Sequence, residues 1–238
     1  MIAQGIDVSR HQGTIDWKRV KDAGIEFAIL RAGYGNGNKD DMFEKNYLAC
    51  KQNGIPVGAY WYLYAKTPKD ALAEAKAFEQ VLYGKQIDLP IFLDIEEQNT
   101  FKSGYANEIV ETFCGYLEQK GFYVGLYCSK YYLNTYLPRI TSRFCGWVAQ
   151  WSEKCTFSQP YLLWQKSEKG KVDGIYGNVD LDEFHEDGMF ENVQNYIHLN
   201  GLNGYSKPEQ TETASGTKRV QLIVDGKTIY DNYVEFFK

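Results

Sequence analysis

The sequence predicts an α/β fold: an irregular TIM-like barrel of eight strands with about five helices, (β/α)5(β)3. Three observations carry this. Short β-branched or aromatic runs alternate with amphipathic helix patterns as far as Ser129. Three more strand patterns follow, joined by connections of about ten residues that are too short for crossover helices. The length of 238 residues suits one such barrel, which takes about 200–250 residues, with a short remainder.

The first strand, Gln4 to Ser9, ends on Asp7-Val8-Ser9. Ile15 to Ala23 reads as a helix capped by Thr14 and stopped by Gly24. Phe27 to Tyr34 is a second buried strand, running into a Gly- and Asn-rich loop, and a second helix carries Phe43, Tyr47 and Cys50 on one face and ends at Gly54. The third strand, Pro56 to Tyr64, holds Tyr60-Trp61-Tyr62 and Tyr64. Alternation sends neighbours in that run to opposite faces, so some pack beneath helices while others line a cleft. The next helix has Thr67 as cap, Pro68 in its first turn, a stripe of Leu72, Ala75, Phe78 and Leu82, and Gly84 at its end.

The fourth strand, Leu89-Pro90-Ile91-Phe92-Leu93-Asp94-Ile95-Glu96, is apolar until it ends in two carboxylates two apart. Side chains at that spacing share one face of a strand, about 6–7 Å apart. Two like charges buried together are costly unless one is protonated or each finds partners. A neutral carboxyl beside an ionised one is what acid-assisted glycoside cleavage requires; a solvated or salt-bridged pair is the plainer alternative. A fourth helix then sets Ile109, Val110, Phe113, Cys114 and Leu117 on one side and stops at Gly121. Strand five is Tyr123 to Ser129, followed by a short helix or turn around Tyr131 to Tyr136. Phe144 to Trp151, Tyr161 to Lys166 and Asn178 to Phe184 complete the eight strands, and Asp187 to His198 closes the barrel as a helix.

Barrels of this class place chemistry at the carboxyl ends of their strands. Asp7, Asp94, Glu96 and Asp180 all fall at or near predicted strand ends and are expected to converge at one mouth. That convergence, more than any single motif, raises a carboxylate enzyme above a purely structural reading.

Composition removes other classes. Lys and Arg total 26 against 31 Asp and Glu, a net charge of −5, which leaves no basic stripe for nucleic acid and no polybasic membrane anchor. No segment reaches the ~18 consecutive apolar residues of a membrane span, and Met1 to Gly5 lacks the regions of a signal peptide. Five cysteines, Cys50, Cys114, Cys128, Cys145 and Cys155, form no C-x-x-C and are read as reduced core residues, with a disulfide as the minor alternative. His11, His185 and His198 are not at metal-site spacing, so a zinc site is not expected. The 19 Tyr and 5 Trp suit either a sugar-stacking surface or Tyr-rich strands.

The chain resembles the glycoside hydrolase family 25 lysozymes, the Chalaropsis-type N-acetylmuramidases. The likeness runs from about Ile2 to His198. It rests on Gly5-Ile6-Asp7-Val8-Ser9 with His11-Gln12-Gly13 and Ile15-Asp16-Trp17, on Arg31-Ala32-Gly33-Tyr34-Gly35 and on Pro56-Val57-Gly58-Ala59-Tyr60. Leu93-Asp94-Ile95-Glu96, Leu163-Trp164-Gln165, Gly174-Ile175 and Val179-Asp180-Leu181-Asp182 with Phe184 continue the ordered set. The resemblance implies hydrolysis of the β-1,4 bond between N-acetylmuramic acid and N-acetylglucosamine in bacterial peptidoglycan, with net retention. It implies Glu96 as general acid, Asp94 as the partner that stabilises developing positive charge or orients the acetamido group, and Asp7 and Asp180 as the rest of an acidic mouth. No metal or organic cofactor is implied.

Two departures accompany the likeness. Tyr60 is followed by Trp61 and Tyr62 where the family has His and Phe. Asp182 stands where the family usually has Asn, and is read as a salt-bridge partner of the mouth or, preferably, a solvated strand end. Tyr34, Tyr62, Tyr127, Trp151 and Gln165 are candidate substrate contacts, with core packing as their alternative. Arg31 is placed to orient an acid across the barrel, and His11 reads as a loop hydrogen-bonder rather than a catalyst.

The barrel domain is assigned to residues 1–199, a polar linker to 200–217 and a hairpin-like extension to 218–238, with Asp225-Gly226 as its turn. That hairpin is expected to dock on the barrel, to pair with a second chain in self-association, or to be the stub of a wall-binding module, in that order. A phage or prophage endolysin that waits in the cytoplasm for a lysis pore is the preferred setting; export with a leader absent from this sequence is the alternative. Competing functions are a chitinase-like hydrolase, whose further upstream acids are missing apart from Asp88, and a non-catalytic wall-binding barrel, which has no need of four converging acids.

Overall fold

The computed structural model describes residues 1–208, 217–224 and 227–235, which separate into two units, Met1–Lys207 and Pro208–Lys238. In the first unit eight strands close a barrel: β1 (Gln4–Val8), β2 (Phe27–Tyr34), β4 (Val57–Tyr62), β5 (Ile91–Asp94), β6 (Val124–Ser129), β7 (Cys145–Ala149), β8 (Leu163–Gly170) and β9 (Val179–Phe184). A two-residue strand, β3 (Asn38–Lys39), pairs only with β2. Closure comes from β1, which pairs with β2 on one side and β9 on the other. Seven strands run parallel around the barrel, whereas β9 is antiparallel to both β8 and β1. The short connection after β8 explains the reversal: it turns the chain back without a crossover helix. Asp180 therefore enters the mouth near the start of its strand, not from a carboxyl end as expected.

Seven helices are present among the described residues, where about five were expected: α1 (Trp17–Asp22), α2 (Phe43–Gln52), α3 (Pro68–Leu82), α4 (Gln98–Lys102), α5 (Ala106–Gln119), α6 (Lys130–Tyr136) and α7 (Met189–Asn200). The extra element α4 is cut from α5 by Gly104, whose φ of 80° belongs to the left-handed region. Helix α1 begins two residues later than Ile15, because Asp16 rather than Thr14 accepts from Arg19 N at 3.2 Å. No helix among the described residues is long and apolar enough to cross a membrane.

Strand alternation divides the interior into two cores. Outward residues such as Ile6, Leu30, Trp61, Leu93 and Val148 are buried beneath the helices with Phe78, Phe113 and Leu117. Inward residues, among them Phe27, Ile29, Phe92, Trp147, Leu163 and Phe184, fill the barrel itself. Gly5 makes that filling feasible, since a Cβ there would come 2.3 Å from the Phe27 ring. Above this apolar plug the same inward parity brings up Asp7, Arg31, Tyr60, Asp94, Tyr127 and Gln165, all buried.

The expected linker does not start at Asn200. Residues 201–207 belong to the barrel unit, and Asn203, with a left-handed φ of 54°, is wholly buried. Its side chain donates to Leu89 O at 2.7 Å and accepts from Tyr123 N at 2.8 Å, while its carbonyl accepts from Ile87 N at 3.0 Å. Tyr205 adds a hydrogen bond from its hydroxyl to Asp88. In the second unit β10 (Thr217–Val224) and β11 (Lys227–Glu235) form an antiparallel pair. The expected turn Asp225-Gly226, the linker residues 209–216 and the final residues 236–238 lie outside the described residues.

Candidate active site

The mouth of the barrel holds a cavity of about 270 Å³ into which Asp7, Asp94, Glu96 and Asp180 all project. Each acid arrives for a stated reason. Asp94 is the last residue of β5, and its inward parity follows from Phe92 two residues before. Glu96 lies two residues on, past a backbone still held extended by the bond from Ile95 N to Tyr127 O at 3.1 Å. Asp7 of β1 stands directly opposite Asp180 in the antiparallel register with β9.

Their environments differ. Asp94 is 4% exposed and its Oδ1 has no hydrogen-bond partner. Burial, with the nearby Glu96 charge, pushes its carboxyl well above the ordinary range, although the Arg31 guanidinium pulls the other way. Glu96 is half-buried; burial raises its carboxyl too, and the Tyr62 hydroxyl opposes the shift. Asp180 is pushed up to about 6, chiefly by burial and then by Glu168. Asp7, 4% exposed, is raised well above the ordinary range by burial and by Asp182 and Asp180.

The acids are braced by a polar frame. Arg31 donates from Nε to Asp40 Oδ2 at 2.7 Å, and Asp40, itself buried, also accepts from Arg10 N at 3.1 Å and Met42 N at 3.0 Å. Arg31 Nη2 is buried without a partner, so part of this guanidinium remains uncommitted at the cavity wall. Gln165 accepts at Oε1 from the Tyr127 hydroxyl at 2.9 Å and from Trp151 Nε1 at 3.0 Å. Its amide orientation is thereby set, and Nε2 donates to Asp7 Oδ2 at 2.8 Å. On the far side the Tyr62 hydroxyl donates to Glu97 Oε1 at 2.9 Å.

Of the candidate contacts, Tyr62, Tyr127 and Gln165 line the cavity with the four acids. Trp151 does not line it but stands at its edge, 56% exposed, tied to Gln165. Tyr34 is turned to the outer rim, where it meets Tyr64 edge-on and accepts from Arg10 Nη1 at 3.1 Å. His11 lines the mouth from the 3₁₀ turn Arg10–Gln12, held by a reciprocal cap between Ser9 and Gln12. Tyr60 and Trp147 also line the cavity, and neither is among the expected contacts. Their signal was parity: Tyr60 is two residues from Tyr62, and Trp147 shares its face with Trp151.

Asp182 is corrected outright. It is completely buried inside the barrel, not a solvated strand end, and Trp147 Nε1 donates to its Oδ1 at 2.7 Å. The reversed direction of β9 places residue 182 one inward step below Asp180, on the apolar plug.

Comparison with known proteins agrees with this geometry. The model of the family described as glycosyl hydrolases family 25 matches residues 6–175. The chain is 31% identical over 187 residues to the autolytic lysozyme of Clostridium acetobutylicum, covering 77% of this chain and 56% of that protein. The solved structure of the bacterial lysozyme from Streptomyces coelicolor superposes with a TM-score of 0.71 at 28% identity, over 81% of this chain and 95% of that one. The modular autolysin LytC from Streptococcus pneumoniae, solved in complex with a synthetic peptidoglycan ligand, gives a TM-score of 0.70 at 27% identity over 77% of this chain, which spans about half (47%) of the autolysin. A closed barrel with one reversed strand, an acidic mouth at its end and a family match over most of the barrel lead to one assignment: the chain belongs to glycosyl hydrolases family 25.

Proposed function

We propose that this chain hydrolyses bacterial peptidoglycan at the β-1,4 bond between N-acetylmuramic acid and N-acetylglucosamine, with Glu96 as general acid. The observation that carries the reading is the pairing of two unlike carboxyls from one strand end. Glu96 is reachable from solvent and shifted toward the protonated form, while Asp94 is enclosed beneath it. A protonated Glu96 gives its proton to the glycosidic oxygen as the C1–O bond breaks. Asp94, whose carboxyl burial holds toward its neutral form, orients the acetamido group, and Asp7 and Asp180 complete the acidic mouth. An enzyme carboxylate or the acetamido oxygen bonds to C1 from the opposite face as the leaving group departs; water, giving its proton to the now ionised Glu96, then displaces that oxygen from C1, so the net configuration is retained. Tyr62, Tyr127, Gln165 and, at the edge, Trp151 offer ring faces and amide groups that suit the sugar. The likeness to an autolytic lysozyme supports action at the cell wall.

The test is digestion of purified peptidoglycan by the wild type and Glu96→Gln, scoring new reducing ends against new free amines. Muramic-acid reducing ends from the wild type alone support the assignment. Reducing ends retained by Glu96→Gln would remove Glu96 from the role of acid. Their absence from the wild type, with wall binding intact, would make this a non-catalytic wall-binding barrel.

A further inference from the structure

Four acids project into the cavity, yet one corner of its rim carries surplus positive charge. We propose that Arg10, presented beside Tyr34 at the end of an aromatic path leading out of the cavity, binds a carboxylate of the acidic peptide arm that peptidoglycan bears on the lactyl group of muramic acid, and is thereby a specificity-determining residue. The inference rests on the muramidase reading and names the substituent which that reading leaves open.

The path is built from strand ends on the mouth side of the barrel. Tyr62 lines the cavity. Its ring centroid lies 5.2 Å from that of Tyr64, which in turn meets Tyr34 edge-on at 6.3 Å. Tyr64 is 48% exposed, and its ring lies across Gly35, where a Cβ would come within 2.6 Å of it. The absence of a side chain at residue 35 is what lets Tyr64 lie toward Tyr34. Two or three extended peptide residues cover about 7–10 Å, a reach comparable with the run from Tyr62 past Tyr64 to Tyr34.

Arg10 opens the 3₁₀ turn that follows β1. Its backbone N–H donates to Asp40 Oδ2 at 3.1 Å, and the reciprocal cap between Ser9 and Gln12 holds the turn. The guanidinium carbon stands 5.3 Å from the Tyr34 ring centroid, and Nη1 donates to the Tyr34 hydroxyl at 3.1 Å. Arg10 is exposed and makes no ion pair among the described residues. Its Nε–Nη2 edge, which can grip a carboxylate with two parallel hydrogen bonds, is open. Arg31 lies 5.4 Å from the centroid of the same ring, but it is buried and engaged by Asp40 at 2.7 Å. Two guanidinium groups and one acid leave this corner net positive in a chain whose net charge is −5.

Charge then orients the substrate. An anionic arm is repelled by whichever mouth acids are ionised and drawn toward the corner of opposite sign. In the alternating polymer only muramic acid bears the arm. A cation fixed at the rim therefore favours the register that sets a muramic acid C1 beside Glu96, and a neutral acetamido-sugar polymer lacks this handle.

The test uses two soluble glycan fragments with the same sugars and peptides, one with free peptide carboxylates and one with these converted to primary amides. The wild type is expected to favour the acid form by about fivefold in kcat/KM, the scale of an exposed charge pair. The preference should lie in KM rather than kcat and should shrink as salt is raised. Arg10→Gln should bring the ratio of acid to amide close to one, and Arg10→Lys, which keeps the charge without the fork, should fall between. Calorimetric titration of both fragments into Glu96→Gln, with and without Arg10→Gln, gives a binding arm free of turnover. A wild type that treats both forms alike, or an Arg10→Gln protein that keeps the preference or loses both forms equally, would overturn the proposal and leave Glu96 in its role. A wild type that cleaves neither form, with the acid form still bound more tightly and that difference lost with Arg10→Gln, would defeat the muramidase reading alone.

Discussion

Gln165 Nε2 donates to Asp7 Oδ2 at 2.8 Å although the two residues stand on strands that are not neighbours, β8 and β1, with β9 between them. The bond crosses the barrel mouth and couples Tyr127 and Trp151 to an acid contributed by the first strand. Gln165→Leu removes it while keeping volume. It strands the Tyr127 hydroxyl and the Asp7 carboxyl, each worth about 1–3 kcal/mol when buried and unsatisfied, and frees Trp151 at the exposed edge. The expected result is a loss of about 2–4 kcal/mol in urea unfolding together with a fall in kcat larger than any change in KM.

Asp40 is the counter-charge that allows Arg31 to be buried. Asp40→Ala leaves the guanidinium unpaired and frees the Arg10 and Met42 amides, at an expected cost of about 3–5 kcal/mol. Denaturant titration measures it. Activity should fall more than stability alone explains, because the Arg31 charge that opposes the upward shift of Asp94 is no longer held in place.

The Tyr62 hydroxyl, which donates to Glu97 Oε1 at 2.9 Å, also lies beside Glu96 and opposes the upward shift of that carboxyl. Without it, in Tyr62→Phe, the Glu96 carboxyl should rise further. Since the general acid works protonated, the alkaline limb of the pH–rate profile should move to higher pH. A limb that moves down or stays fixed contradicts the assignment of Glu96 as the acid.

Glu74 on α3 is a buried acid away from the mouth, 3% exposed, accepting from Trp61 Nε1 at 3.1 Å and from Tyr64 N at 3.3 Å. Burial pushes it up to about 7. Between the ordinary carboxyl range and that value, the folded chain keeps a proton that the unfolded chain gives up, so stability declines as pH climbs through the window. Glu74→Gln keeps an acceptor for both donors and removes the titration. The variant should gain on the wild type from about pH 5 to 7, reaching roughly 1–3 kcal/mol near pH 8, as read by thermal unfolding across pH.

Much of this architecture was written in local pattern. Strand and helix periods mark seven of the eight strand positions closely, and the inward parity of Asp7, Asp94 and Tyr62 follows from each strand alone. Asp182 was not legible in that way. An acid near a strand end ordinarily faces water, and only the reversal of β9, a tertiary event, turns residue 182 toward the plug. The segment after Asn200 misled for a related reason. Its Gly, Asn and Ser content matches a linker, but the buried side chain of Asn203 satisfies backbone groups at Leu89 and Tyr123 that are remote in sequence. The start of α1 turned on a choice between two capping residues two positions apart, which local pattern does not resolve.

The pairing of β1 with β9 also sets an order of events during synthesis. As the chain leaves the ribosome, the first strand emerges with one edge open and keeps it open until Phe184 has followed. Until then the growing sheet has two free edges, at β1 and at its latest strand, each able to recruit foreign strands. Asp7 and Asp180 lie far apart in the chain during that interval and meet only when the ring closes. A message cut short before β9 would yield a sheet rich in exposed edges and lacking part of its acidic mouth, so ring closure and assembly of the site are one event.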